Sequence, residues 1–151
     1  MRVRNTREQG ASAVEMAMVA PFLLLLLLGI IEFGYVFGQY NEVRHSAREG
    51  ARYAAVGNPD RVTPAGIDKD DVIDVVCDTL NLSGATVGIV TTISGTGAIG
   101  DEATLEVTLD IESLSGAPII SSFVPADLTN VATFRLEQPA EWSAFSDSNA
   151  C

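Results

Sequence analysis

Apolar residues are distributed along this chain in three different ways, and each predicts a different element. The first is an almost unbroken run, Met16–Ile31 (MAMVAPFLLLLLLGII). Across the wider stretch Ala11–Phe37 only Glu15 and Glu32 are charged, and roughly 20 residues suffice for a helix to cross the hydrocarbon core of a bilayer. A transmembrane helix is therefore predicted at 11–37. A removable secretory signal would share the basic start but would end in a small-x-small cleavage site. Here the run leads into Glu32-Phe33-Gly34-Tyr35 instead, with aromatic residues suited to a membrane interface. The segment reads as an anchor that stays attached.

The second pattern has helical spacing. Tyr40, Val43, Ala47, Ala51 and Ala54 recur every three or four residues, with Glu42, Arg44, His45, Arg48, Glu49 and Arg52 between them. This predicts an amphipathic continuation through Gln39–Val56, stopped by Gly57-Asn58-Pro59. Read from Ala11 to Val56, it makes one helix on the order of 70 Å long, in which Pro21 is a candidate kink. His45 and Glu49, and Glu49 and Arg52, have spacings for pairing on the helix surface. The charged face reads as solvated in preference to a docking surface. Asp68 is placed to cap a second helix from Lys69 to Leu80, with Asp70 and Asp71 in its first turn and Val72, Val75, Val76 and Leu80 as its buried stripe. A calcium-loop reading of Asp68-x-Asp70 fails, because the sixth position lacks Gly and the twelfth lacks Glu.

The third pattern has a period of two. Thr86–Ile93, Ala103–Ile111 and Val131–Glu137 alternate, most clearly where Leu105, Val107, Leu109 and Ile111 share one face. Three antiparallel strands with one apolar face need a cover, and the amphipathic half of the long helix supplies it. The expected fold class is α+β: a long N-terminal helix packed on a small antiparallel sheet, with one extra helix. Gly95–Asp101 is a loop with neither the lysine nor the following helix of a phosphate cradle. Ser115–Pro125 is either a surface patch for a partner or a covered core segment, and the core reading is preferred because large exposed apolar patches are unusual.

Charge changes the picture in two respects. The chain of 151 residues has a formal net charge of −11, which argues against nucleic acid as a partner. The basic residues Arg2, Arg4 and Arg7 precede the apolar run, and the positive-inside rule places such a cluster in the cytoplasm, with the C-terminal domain outside it. Cys77 and Cys151 then lie on the oxidising side, where a disulfide is favoured. The alternative is a buried Cys77 with a loose terminal Cys151. The spacing excludes a CxxC redox site, and no further zinc ligands are evident. The single histidine, His45, has no adjacent nucleophile. No enzyme activity, metal, cofactor or small-molecule substrate is expected.

At the head of the apolar run, Gly10 precedes Glu15 by five positions in QGASAVEMA. Glu15 has two readings: an interfacial carboxylate favoured by the positive helix end, or an intramembrane group with a task. The arrangement resembles the type IV prepilin cleavage pattern. That resemblance implies scission by a prepilin peptidase between Gly10 and Ala11, with Glu15 setting register against a neighbouring subunit. GASAVEMAMVAPFLLLLLLGIIEFG and the later HSAREGARYAAVG further resemble the TadE-like family of tight-adherence (Flp-type, type IVc) pilus systems. Ala132–Glu137 (ATFRLE) is similar to that family's closing strand. Met16 follows Glu15 where the related major pilins carry Tyr, which fits a minor subunit.

The resemblance implies a pilin-like fold and a minor pseudopilin that assembles or primes a pilus. Its partners would be other minor and major subunits, the peptidase, and an inner-membrane assembly platform. The chain divides into a leader (1–10), the transmembrane helix (11–37), its amphipathic continuation (38–57) and a small extracytoplasmic domain (58–151). The competing reading is a membrane-tethered extracytoplasmic binding module unrelated to pili.

Overall fold

A computed structural model describes residues 6–57, 68–80, 86–116, 121–140, 144–148 and 150–151. Among these residues the elements follow in the order α1 (Thr6–Val56), α2 (Lys69–Thr79), β1 (Val87–Ile93), β2 (Glu102–Asp110), β3 (Asp127–Arg135) and β4 (Ala144–Asp147). The chain is α+β, as the periodicities imply. It divides into two compact units, one made of Met1–Tyr35 with Ser113–Val124 and the other of Val36–Glu112 with Pro125–Cys151.

The first unit contains the apolar part of α1. The helix runs through Pro21 without interruption. Its hydrophobic side chains project outward, from Met16 and Phe22 through Leu28 to Phe33, and no part of its most apolar stretch is covered by protein. A soluble helix would bury such a face. This helix is long and apolar enough to cross a membrane.

The second unit is built around a sheet of order β3-β2-β1-β4, antiparallel throughout. Three successive strands with a fourth returning beside the first is the Greek-key order. On the inner face, Val87 and Ile89 of β1 join Leu105, Val107 and Leu109 of β2. These residues form one core with Val43, Ala47, Ala51 and Ala54 of α1 and Val72, Val76 and Leu80 of α2. The cover is thus the small-residue face of α1, as its spacing predicts. Thr91, a polar residue on this buried face, accepts a 3.3 Å hydrogen bond from Phe145 N of β4. That bond offsets the cost of burying its hydroxyl.

Local chemistry explains the ends of the helices. Gly57 has φ 75°, a left-handed conformation that glycine adopts without a Cβ penalty, and its N–H reaches Tyr53 O at 2.7 Å. The nearby carbonyl of Ala55 accepts from Glu137 N at 2.8 Å. Asp68 caps α2 as expected, its carboxylate accepting from Asp70 N at 3.3 Å. Asn58 and Pro59 lie outside the described residues.

Three expectations need correction. The sheet has a fourth strand, β4, which the sequence reading omits because four residues are too few to establish alternation. β3 begins at Asp127 rather than Val131, since pairing with β2 from Asp110↔Asp127 onward recruits residues whose own pattern is polar. Finally, Phe123 is not core: it is 71% exposed. Residues 117–120, including Pro118, Ile119 and Ile120, lie outside the described residues.

Candidate functional site

Gly10, Ala11 and Glu15 all lie within α1 and are exposed. Ala11 and Glu15 are four residues apart, so they occupy one face of the helix, a turn from each other. Among the described residues, a Cβ built on Gly10 would meet no atom within 4 Å beyond the backbone of its own helix. Gly10 lowers the local cost of opening the helix by about 1 kcal/mol relative to Ala.

The other carboxylate of the apolar stretch behaves differently. Glu32 is buried, at 1% exposure. Its Oε1 accepts from Leu114 N at 2.8 Å and its Oε2 from Ser115 N at 3.0 Å. Two successive backbone donors thus grip one ionisable side chain, an arrangement that answers the cost of burying it. In the sequence, Glu32 stands out only as a charge in an apolar run. The available signal was that charge at the exit of an anchor, where an uncompensated carboxylate is expensive. Its partners, more than eighty positions away, leave no local trace.

Further along α1, Arg44, Arg48 and Arg52 are exposed, whereas Glu42 has one carboxylate oxygen, Oε2, buried. The Arg52 guanidinium lies 2.7 Å from Glu49 Oε1, and this hydrogen bond holds the Glu49 carboxyl below its ordinary range. Partial burial opposes the shift, while the charges of Arg52 and His45 add to it. His45 is exposed. Among the described residues no cluster of His, Cys, Asp or Glu is arranged to hold a metal ion.

Cys77 on α2 and Cys151 are joined by a disulfide with Cα atoms 5.6 Å apart. The chain before Cys151 is held to the sheet by Ala150 N donating to Val87 O at 2.9 Å. The bridge closes a separation of 74 residues and ties the C-terminal run to α2 within the second unit.

Fold and site together define a class: a protein with a helix able to span a bilayer, leading into a small disulfide-linked α+β unit. The sequence comparison is more specific. Residues 10–52 match the sequence model of the family described as TadE-like protein, which supports a TadE-like protein of the Tad pilus system. No curated protein and no solved structure matches the chain.

Proposed function

We propose that this protein is a minor pseudopilin that takes part in assembling or priming a Tad/Flp-type pilus, after a prepilin peptidase has cut between Gly10 and Ala11. The observation that carries the reading is the Gly10–Glu15 motif at the junction of a basic leader and an apolar helix, inside the stretch that matches the TadE-like family. Arg2, Arg4 and Arg7 favour a cytoplasmic N-terminus and an extracytoplasmic C-terminal domain.

Scission exposes an α-amino group at Ala11, one turn from Glu15. In an apolar medium a cation at a helix end needs a counter-charge, and Glu15 of a neighbouring subunit provides one. Docking in any other register leaves both charges uncompensated, so the pair selects register as well as association. The outer α+β unit selects partners among the other subunits, and the assembly platform extracts the complex. The role is mechanical, with no reaction catalysed by this chain.

The test is the N-terminus of the protein isolated from a pilus-competent host. Intact mass and N-terminal sequencing are expected to show a chain beginning at Ala11, and Gly10→Ala is expected to retain residues 1–10. Wild-type protein that keeps its leader in a host with active peptidase would indicate a tethered binding module instead.

A further inference from the structure

We propose that the row of arginines on the exposed side of α1, Arg44, Arg48 and Arg52, docks onto the row of aspartates on α2, Asp70, Asp74 and Asp78, of a second copy of this chain.

Both rows belong to the compact unit that holds the sheet. On α1 the arginines recur every four residues and are exposed, while Val43, Ala47, Ala51 and Ala54 turn into the core. On α2 the aspartates have the same spacing and are likewise exposed, with Val72, Val76 and Leu80 buried. Residues four apart lie one above another on a helix, at steps of about 6 Å along its axis. The two rows therefore match in pitch and oppose in charge.

In a single copy neither row is neutralised. Among the described residues Arg52 pairs with Glu49 at 2.7 Å and Asp70 with Lys69 at 3.9 Å, and Arg44, Arg48, Asp74 and Asp78 form no ion pair. Like charges four residues apart repel along a helix, so each row destabilises its own helix in isolation. Asp78 adds to that cost. It stands in the last turn of α2, which holds no basic residue, and the negative end of the helix dipole disfavours a carboxylate there. Cations arriving from outside relieve both effects.

Composition makes the arginine row distinctive. Beyond the leader the basic residues are Arg44, Arg48, Arg52, Arg61, Lys69 and Arg135, so half of them stand on one line of α1 in a chain of net charge −11. Copies of so acidic a chain repel one another over most of their surfaces, and a single basic face decides which surfaces can meet.

The two rows are different surfaces, so the contact is head-to-tail rather than isologous. Each copy offers its arginines to one neighbour and its aspartates to another. Such a contact needs no reversal of one copy against the next, and the N-terminal helices can point the same way, as anchors in one bilayer must. It does not depend on whether the leader has been cut. Single exposed ion pairs are weak, but several in register, between copies confined to one membrane, act together. Whether the paired helices run parallel or antiparallel, the central residues meet, Arg48 against Asp74.

The test uses full-length protein with the Cys77–Cys151 bridge oxidised, in phosphatidylcholine vesicles at a fixed lipid ratio. Donor- and acceptor-labelled copies are mixed and energy transfer between them is read. Wild-type transfer is expected to exceed that of random mixing and to fall as added salt screens the exposed charges. Arg48→Glu and Asp74→Arg are each expected to weaken association about fivefold. The double variant Arg48→Glu/Asp74→Arg should recover it. So should an equimolar mixture of the two single variants, because each supplies the row that the other lacks. Both positions are exposed, and unchanged far-ultraviolet circular dichroism checks that the fold is kept.

Wild-type transfer no greater than random mixing overturns the proposal. Transfer insensitive to both substitutions overturns it too, and places the contact elsewhere on the chain. Loss in the single variants without recovery in the double variant also refutes pairing between copies, and gives the arginine row to a different partner.

Discussion

At Gly50, α1 packs closely against both α2 and the sheet. A Cβ there would lie 2.5 Å from Val76 Cγ2 and 2.7 Å from Leu105 Cδ2, and both neighbours are fully buried. Gly50→Ala gains up to about 1 kcal/mol of helix propensity, but it overpacks a closed core, at a typical cost of about 1–3 kcal/mol. The expected result is a net loss of stability on the order of 1 kcal/mol, read from denaturant unfolding of the second unit in detergent. In the sequence, Gly50 is merely one more small residue on an apolar helical face. The close approach depends on where Val76 and Leu105 arrive from later elements.

At the scale of elements, the solvent-facing side of α1 makes a pH-dependent contribution. Glu49 is lowered in the folded state mainly by its hydrogen bond with Arg52. A carboxyl with a depressed folded pKa adds stability above its unfolded pKa, and that stability is lost as pH falls through the folded value. Both side chains are more than a third exposed, so solvent and salt screen the pair. Arg52→Ala is therefore expected to melt slightly below wild type at neutral pH, with the gap closing on acidification through and below the ordinary carboxylate range. Thermal melts of both proteins across pH check this. The elements themselves were largely legible: α1, α2, β1 and β2 follow from periods of 3.6 and 2 long enough to be unambiguous. β4 was not, because four residues carry too little pattern and its place is assigned by pairing with β1.

At the scale of the whole molecule, the Cys77–Cys151 bridge restricts the unfolded chain. Closing a loop of this length stabilises by about 4 kcal/mol in the chain-entropy account. Cys151→Ser is expected to lower the stability of the second unit by an amount of that order, measured by denaturant unfolding against the oxidised wild type. Reduction of the wild type should reproduce the loss, and reducing agent should leave the variant unchanged.

The sequence by itself determined the apolar span, the continuation of its helix, the cap at Asp68, the alternating strands and the Gly10–Glu15 motif. Each is written within a few residues of its own position, where periodicity, capping and charge act locally. Tertiary structure alone decided that Glu32 grips Leu114 and Ser115, that Gly50 meets Val76 and Leu105, and that Phe123 stands exposed. Those outcomes depend on distant segments arriving at the same point, and hydrogen bonding and steric contact are settled only when they do.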